Sequence, residues 1–542
     1  MPDRADRHNA TTAFRIPLSA ILIVGIVLSI YGVLAAVPCP AVDDAYYKSP
    51  AAEWIQNGRL AIPCAQGFLP QTDRIFACYP AAFQVVLAGW YYCFGISLRS
   101  SLAFGFAVHL THALLIAAAA RELMLQHAAL ARYRPKYVAW CAGLIGLVHL
   151  CNLAFFDRLE ELALVYIWTG WLLTTVPARQ SWMAKVLMQG LCLGAAGLTS
   201  PWVGVMGGVL VLFRAMFGVF SPTGSQTRLE RYLSAFGLRD ALAVGSISLA
   251  MALAWYNSTE AAFPGSIDDQ FLGTMRHLGE TQIRSDWLGQ LGRLGSSYLY
   301  SPGQAPATAL LLVGLLVVAL RGRDPRRSIP GEVWSLLGTG VVGILVVAVL
   351  RPEAYTYLGA MQMLLLPCLG VSMIGYVHDS QETPRPDRER RPYRIGLVRG
   401  LIIACLVFAA KDIAVTVWFN ARLQPEERAD SVAQRLREWI PESDRVAVTA
   451  RHWHVFQGRN DWREAFFSSL ESHQEVLACH WLVLPKDCGQ PAYIDQFELV
   501  ESVRTRVPSH HTFAYDLYRR KPADSAEAAI QAIAESPRST DR

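Results

Sequence analysis

Residues 17–37, 101–120, 138–154, 161–176, 185–199, 201–214, 239–256, 304–321, 332–350, 356–377 and 396–418 form a succession of apolar runs with almost no charge, several of them 18 to 23 residues long. At about 1.5 Å per residue, a helix of roughly 20 such residues crosses a hydrocarbon core of about 30 Å. A chain built this way has to span a bilayer repeatedly. With 53% hydrophobic and 17% charged residues over 542 positions, it is too apolar for a soluble two-domain protein. The first run is followed by Val37-Pro38-Cys39-Pro40 rather than a small-residue cleavage site, so it is expected to stay as the first span.

The basic residues orient these spans. With about 11 transmembrane helices and a cytoplasmic N-terminus carrying Arg4, Arg7 and Arg15, the basic connections Arg121 to Lys136, Arg179 to Lys185, Arg228 to Arg239, Arg321 to Arg327 and Arg385 to Arg394 all fall inside. A further apolar run, Tyr79 to Ser97, would invert every later loop if it crossed. It is therefore read as an interfacial helix, with Trp90, Tyr91 and Tyr92 at headgroup depth. The loop 38–100, a loop near 257–303 and everything after Asn420 are then external. The net charge of +5 is spread over short loops, which fits topology and gives no face for nucleic acid.

After the last span the pattern changes. Glu426 to Trp439 reads as an amphipathic helix, and Arg445 to Thr449, Trp481 to Leu484 and Phe513 to Tyr518 as short strands. The expected organisation is a cytoplasmic N-terminus (1–16), a membrane region (17–418), a small external, periplasmic α/β domain (419–520) and a polar, disordered tail (521–542). The fold class is thus a polytopic α-helical membrane protein with interfacial helices in the first external loop and a C-terminal external α/β domain. It is expected in the inner or plasma membrane, with its C-terminus outside.

Two adjacent carboxylates, Asp43 and Asp44, stand just outside the first span, at the start of a helix that runs to Gly58 and is followed by Pro63. They suit helix capping. They also suit a general base that must meet a hydrophilic acceptor and a lipid-borne donor at the surface. Further on come Tyr79-Pro80 with Gly95, then Phe156-Asp157-Arg158-Leu159-Glu160 at the outer end of the third span. Leu198-Thr199-Ser200-Pro201-Trp202 lies between paired spans, and Glu353-Ala354-Tyr355-Thr356-Tyr357-Leu358 precedes a late one.

In this order, over most of residues 17–377, the pieces resemble the integral-membrane glycosyltransferases of the C superfamily (GT-C), which include protein O-mannosyltransferases and lipid A aminoarabinose transferases. The resemblance implies an inverting transfer of a sugar from a polyprenyl-phosphate carrier to an acceptor hydroxyl at the outer face. Asp43 would be the catalytic base, supported by Asp44, with Asp157, Arg158 and Glu160 lining the cavity. An Arg158 ion pair with Glu160 or Asp157 that merely fixes the loop fits the same residues. The implied partners are the lipid-linked donor, a lipid, glycan or protein acceptor and membrane lipids. One departure stands out: the aminoarabinose transferases carry Lys before the Pro of the interfacial helix, whereas here it is Cys78-Tyr79-Pro80, with Arg74 the nearest cation. Sugar and acceptor stay open.

Donor phosphate calls for cations, and Arg74, Arg276, His277, Arg284, Arg293 and Arg351 are the external candidates. His109 and His112, three apart on one face of a span, have a spacing that could ligate a metal, but no carboxylate or Cys accompanies them nearby, and packed, hydrogen-bonded histidines are expected. His452 and His454 could be a ligand pair, and an exposed strand end with alternating side chains explains them as well. No metal or other cofactor is predicted. Cys39, Cys64 and Cys78 could furnish one disulfide, and Cys479 with Cys488 another. The rival reading is a transporter or flippase of lipid-linked saccharides, which would place ionisable residues at mid-membrane depth and break spans in matching halves. A structural or sensory protein, in which Asp43 is dispensable, is a third.

Overall fold

The computed structural model describes residues 4–40, 44–66, 70–126, 135–153, 156, 158–175, 181–218, 237–273, 331–350, 367, 407, 410–411, 413–465, 470–486, 491, 493–508 and 511–522. In the apolar part these form α1 (Arg4–Ala35), α2 (Asp44–Asn57), α3 (Ala82–Phe94), α4 (Leu98–Gln126), α5 (Pro135–Cys151), α6 (Leu159–Thr175), α7 (Trp182–Thr199), α8 (Pro201–Gly218), α9 (Leu238–Ala262) and α10 (Gly331–Leu350). Eight of the expected spans are thus helices. Those at 304–321 and 356–377, and most of 396–418, lie outside the described residues. Among the described residues, the helices over Phe14–Ala35, Leu98–Leu125 and Leu238–Ala262 are long and apolar enough to cross a membrane on their own measure. In the run read as interfacial, α3 is 13 residues long, shorter than the roughly 20 residues that a span needs.

Polar and cation–ring contacts join several helix ends. The Arg121 guanidinium sits 5.3 Å from the Phe14 ring, joining the end of α4 to the start of the apolar part of α1. Trp182 donates to Asp240 at 2.6 Å, joining the starts of α7 and α9. Arg214 on α8 donates to Glu332 on α10 at 2.6 Å and to Thr174 and Thr175 at the end of α6 at 2.5 and 2.9 Å. A charge at a span end needs such partners. At the opposite ends, Asn420 donates to the Tyr31 hydroxyl at 2.9 Å. The assignment of sides comes from the charge distribution.

The α7–α8 hairpin explains the Thr199-Ser200-Pro201 sequence. Pro201 opens α8, where its missing amide hydrogen leaves no bond unmade. Past the turn the backbones come so close that a Cβ on Gly204 would stand 2.4 Å from the Gly197 Cα, the role small residues play at membrane helix contacts.

After the membrane region come α11 (Ala429–Trp439), β1 (Val446–Val448), α12 (Trp453–Phe456), β2 (Trp462–Glu464), α13 (Leu470–Leu477), β3 (Trp481–Pro485), β4 (Phe497–Ser502) and β5 (Tyr515–Arg520). The sheet order is β2-β1-β3-β5-β4; β1 runs parallel to β2 and β3, while β5 is antiparallel to β3 and β4. The all-apolar Val446-Ala447-Val448 belongs in the interior of that sheet, buried on both faces. One side of the sheet, with Val432, Leu436, Trp453, Phe456 and Trp462, shares a single apolar core with Ala45, Ala51, Cys64, Phe76 and Tyr79 of the segment between α1 and α4. The sheet unit is therefore seated on that segment. Gln457 Nε2 donates to the side-chain Oε1 of Gln56 at 2.7 Å, and Arg463 donates to the side-chain Oε1 of Gln66 at 2.9 Å.

Two expectations are corrected. His452 and His454 lie at the short helix α12, not at an exposed strand end, and His452 is buried, its Nε2 donating to the Phe513 carbonyl at 2.9 Å. Cys39, Cys64 and Cys78 are free thiols. Each is packed in its own surroundings: Cys64 lies 3.7 Å from the Ser49 hydroxyl, and Cys78 donates to Gln270 at 3.3 Å. Cys488 and the tail from 523 onward lie outside the described residues.

Candidate functional site

Asp44 occupies the first turn of α2, where a carboxylate is favoured by the helix dipole. One turn later the Lys48 ammonium stands 3.3 Å from Asp44 Oδ1, and Lys48 is only 2% exposed. A buried ammonium is costly without a close carboxylate, so the pair locks this face of the helix. Further along α2, Glu53 accepts from Asn57 at 2.9 Å and from Arg59 at 3.2 Å, holding the helix end before Gly58, whose φ of +68° suits glycine.

Tyr46 and Tyr47, the residues after Ala45, meet Tyr79 edge to face, with ring centroids 6.3 and 5.7 Å away; Tyr46 also meets Phe76 at 6.0 Å. This aromatic wall joins α2 to the Cys78-Tyr79-Pro80 segment that leads into α3. Burial keeps the Tyr46 phenol protonated well above its ordinary range and pushes the Cys78 thiol up to about 12. Both remain neutral donors.

Two more segments close on the same loop. Arg158 places its guanidinium carbon 5.9 Å from the centre of the Tyr47 ring, and its Nε lies 3.4 Å from Glu160 Oε2. The start of α6 is thereby brought to the first turns of α2. Gln270, in the helical turn Ile267–Leu272 beyond α9, is fully buried. Its Oε1 accepts from the Ala77 amide at 2.8 Å, and its Nε2 donates to the carbonyls of Pro70 and Ile75 at 2.9 and 3.1 Å. One amide side chain thus clamps residues 70–78.

Of the residues expected at the site, Asp44, Arg158 and Glu160 are described and gathered around Tyr47. Arg74 is exposed on the loop. Asp43, Asp157, Arg276, His277, Arg284, Arg293 and Arg351 lie outside the described residues. Sequence reasoning missed Lys48, Tyr47 and Gln270. The first two follow Asp44 on α2, and their i,i+4 and i,i+3 spacing from it places them on its helix face. Gln270 gave no signal.

A second polar cluster corrects the reading of His109 and His112 as lacking a nearby carboxylate. Glu161 in the first turn of α6 reaches both, and His149 from the end of α5 joins them. Among the described residues, His109, His149 and Glu161 bring metal-ligating atoms within 4.8 Å of one another.

The helical bundle, the loop helices and the sheet unit seated on them are arranged in a fold that a solved structure shares. The chain is similar to ArnT from Cupriavidus metallidurans, crystallised with undecaprenyl phosphate: TM-score 0.56 at 13% identity, over 92% of this chain and 97% of that one. Lower similarity, at 12% identity, is found to two structures of the Archaeoglobus fulgidus oligosaccharyltransferase. The complex with zinc and sulfate has a TM-score of 0.46, covering 86% of this chain and 68% of that one. AglB with an inhibitory peptide and a dolichol-phosphate has 0.45, covering 86% and 69%. No protein-family model and no curated protein sequence matches the chain.

Proposed function

We propose that the protein transfers a sugar from a polyprenyl-phosphate donor to an acceptor hydroxyl at the external face of the membrane, with inversion. The observation that carries this reading is the meeting of the two acidic segments, α2 with Asp44 and the start of α6 with Arg158 and Glu160, at Tyr47 within a GT-C fold. Asp43, directly before the Asp44–Lys48 pair, takes the acceptor proton as the hydroxyl oxygen attacks the anomeric carbon. The bond from that carbon to the carrier phosphate breaks, and the lipid phosphate leaves. Asp44 supports the base through its place on α2. Asp157, Arg158 and Glu160 line the cavity, and Arg158 with the external arginines receives the charge that develops on the phosphate.

The test uses purified protein in detergent and a panel of radiolabelled polyprenyl-phosphate sugars, comparing wild type with Asp43→Asn and Asp44→Asn. A general base contributes roughly 100-fold to 10,000-fold, so Asp43→Asn is expected to lose at least about 100-fold with the fold intact. Full activity in both variants would remove the assignment of the base. Turnover of no donor by wild type would turn the reading toward a transporter of lipid-linked saccharides.

A further inference from the structure

Four ionisable side chains are gathered inside the bundle, away from the Asp44 loop, and the reaction proposed above uses none of them. His109 and His112 come from α4, His149 from the last turn of α5 and Glu161 from the first turn of α6. Each is at most 2% exposed. Three imidazoles converge on one carboxylate oxygen: from Glu161 Oε1, His109 Nδ1 stands at 2.5 Å, His149 Nε2 at 3.1 Å and His112 Nδ1 at 3.4 Å. The rings also pack on one another, with His149 centred 4.7 Å from His109 and 4.3 Å from His112.

With neutral imidazoles the hydrogen-bond inventory of this cluster does not close. His109 Nε2 lies 3.0 Å from the Leu150 carbonyl oxygen, which can only accept, so that nitrogen carries hydrogen. In a neutral imidazole Nδ1 is then a lone pair, and it points at a carboxylate oxygen 2.5 Å away. Two acceptors do not stand that close, so a positive charge, a proton or a metal ion, belongs beside that oxygen. Two further buried atoms, His112 Nε2 and Glu161 Oε2, have no hydrogen-bond partner, and such atoms call for an explanation such as an ion.

We propose that His109, His112, His149 and Glu161 form a structural site for a divalent first-row metal ion of the zinc type. Imidazole nitrogen with a single carboxylate suits zinc and its neighbours, whereas magnesium and calcium take oxygen sets. The donor of His109 to the Leu150 carbonyl is the outer-shell bond that ligating histidines make to fix ring and tautomer. Four protein ligands and near-complete burial leave no open position for substrate, which marks a structural site. The ion would pin α4, α5 and α6 together directly below Arg158 and Glu160, since Glu161 is the next residue of the same helical turn.

Full-length protein, purified in detergent without chelator, is analysed for metal by mass spectrometry. It is then stripped, and reloaded with Zn2+ or with Co2+ as a spectroscopic probe. The expected result is about one tightly held zinc per chain, a lower thermal midpoint after stripping, and the intense visible absorption of tetrahedral Co2+. Glu161→Gln and His149→Gln lose the ion; His480→Gln, on the exposed side of the sheet unit, retains it. A folded wild type that takes up no Zn2+ or Co2+, or undiminished binding in both variants, overturns the proposal. Where the variants do not fold, zinc-edge X-ray absorption of the wild type decides: imidazole scattering supports the site, and an all-oxygen environment refutes it. None of these readouts depends on glycosyl transfer.

Discussion

The guanidinium of Arg158 lies 5.9 Å from the centre of the Tyr47 ring, so the segment that opens α6 meets the helix that begins at Asp44. Residues 111 positions apart, by subtraction of their numbers, form one wall of the candidate site. A planar cation over a ring supplies about 1 kcal/mol in a partly desolvated setting, enough to order a loop and not enough to hold the fold.

Replacing Arg158 should therefore change turnover more than stability. Arg158→Lys keeps the charge but loses the flat face and the fork, and it is expected to lower kcat about tenfold, with Arg158→Ala lower still. Steady-state kinetics beside thermal unfolding checks this; a variant with wild-type kcat would take Arg158 out of the cavity.

Asp44→Asn takes the carboxylate from an ammonium that is 2% exposed. A loss of about 2 kcal/mol is expected, seen as a lower unfolding midpoint. The double variant Asp44→Asn with Lys48→Met should recover part of that loss, because no buried charge then remains to be compensated. A double variant as unstable as the sum of the single ones would show that the two residues do not act as a pair.

His452 gives the sheet unit a pH dependence of defined sign. Burial carries its pKa from 6.5 down to about 3; the bond to Phe513 opposes this, and the charge of Arg451 adds to it. Between those values the unfolded chain binds a proton that the folded chain does not, so stability is complete above about 6.5 and declines as the pH falls toward 3. The decline approaches about 1.4 kcal/mol per pH unit. Unfolding midpoints at pH 7, 6 and 5 should fall more steeply for wild type than for His452→Gln; parallel slopes would contradict the assignment.

The external thiols should be inert in the native state. Burial pushes Cys39 and Cys78 up to about 12, and Cys64 is also raised by burial. Thiolate is the reactive form. Iodoacetamide at pH 8 followed by peptide mapping is expected to leave these three unmodified until denaturant is added, and then to modify all three. Resistance of any two after denaturation, relieved by reductant, would indicate a bridge.

Spans such as α4 and α9 were legible because hydrocarbon imposes its own length on a run of apolar residues, and the interfacial reading of 79–97 came from the basic loops that a crossing would have inverted. The edge strand β2 was not, since Trp462-Arg463-Glu464 is three residues long and two of them are charged. Their burial comes from neighbours far off in the chain, among them Gln66, which accepts from Arg463. The same holds for the site. Asp44, Arg158 and Glu160 were marked by their position at span ends, while Gln270 and the Glu161 partner of His109 depend on contacts 192 and 52 residues apart. No local period records a pairing of that range.

The apolar core shared by the first external loop and the sheet unit sets an order of events during synthesis. Gln56 and its partner Gln457 are 401 residues apart. At about 5 to 20 residues per second, that is roughly 20 to 80 s of translation. Throughout that interval α2 exists while the surface that covers Ala45, Ala51 and Cys64 has not yet been made. The nascent chain carries an uncovered apolar loop until its last segment arrives. A ribosome that stalls late on this message would thus release a protein with its helices inserted and its first loop still open, a natural substrate for the membrane's quality-control proteases.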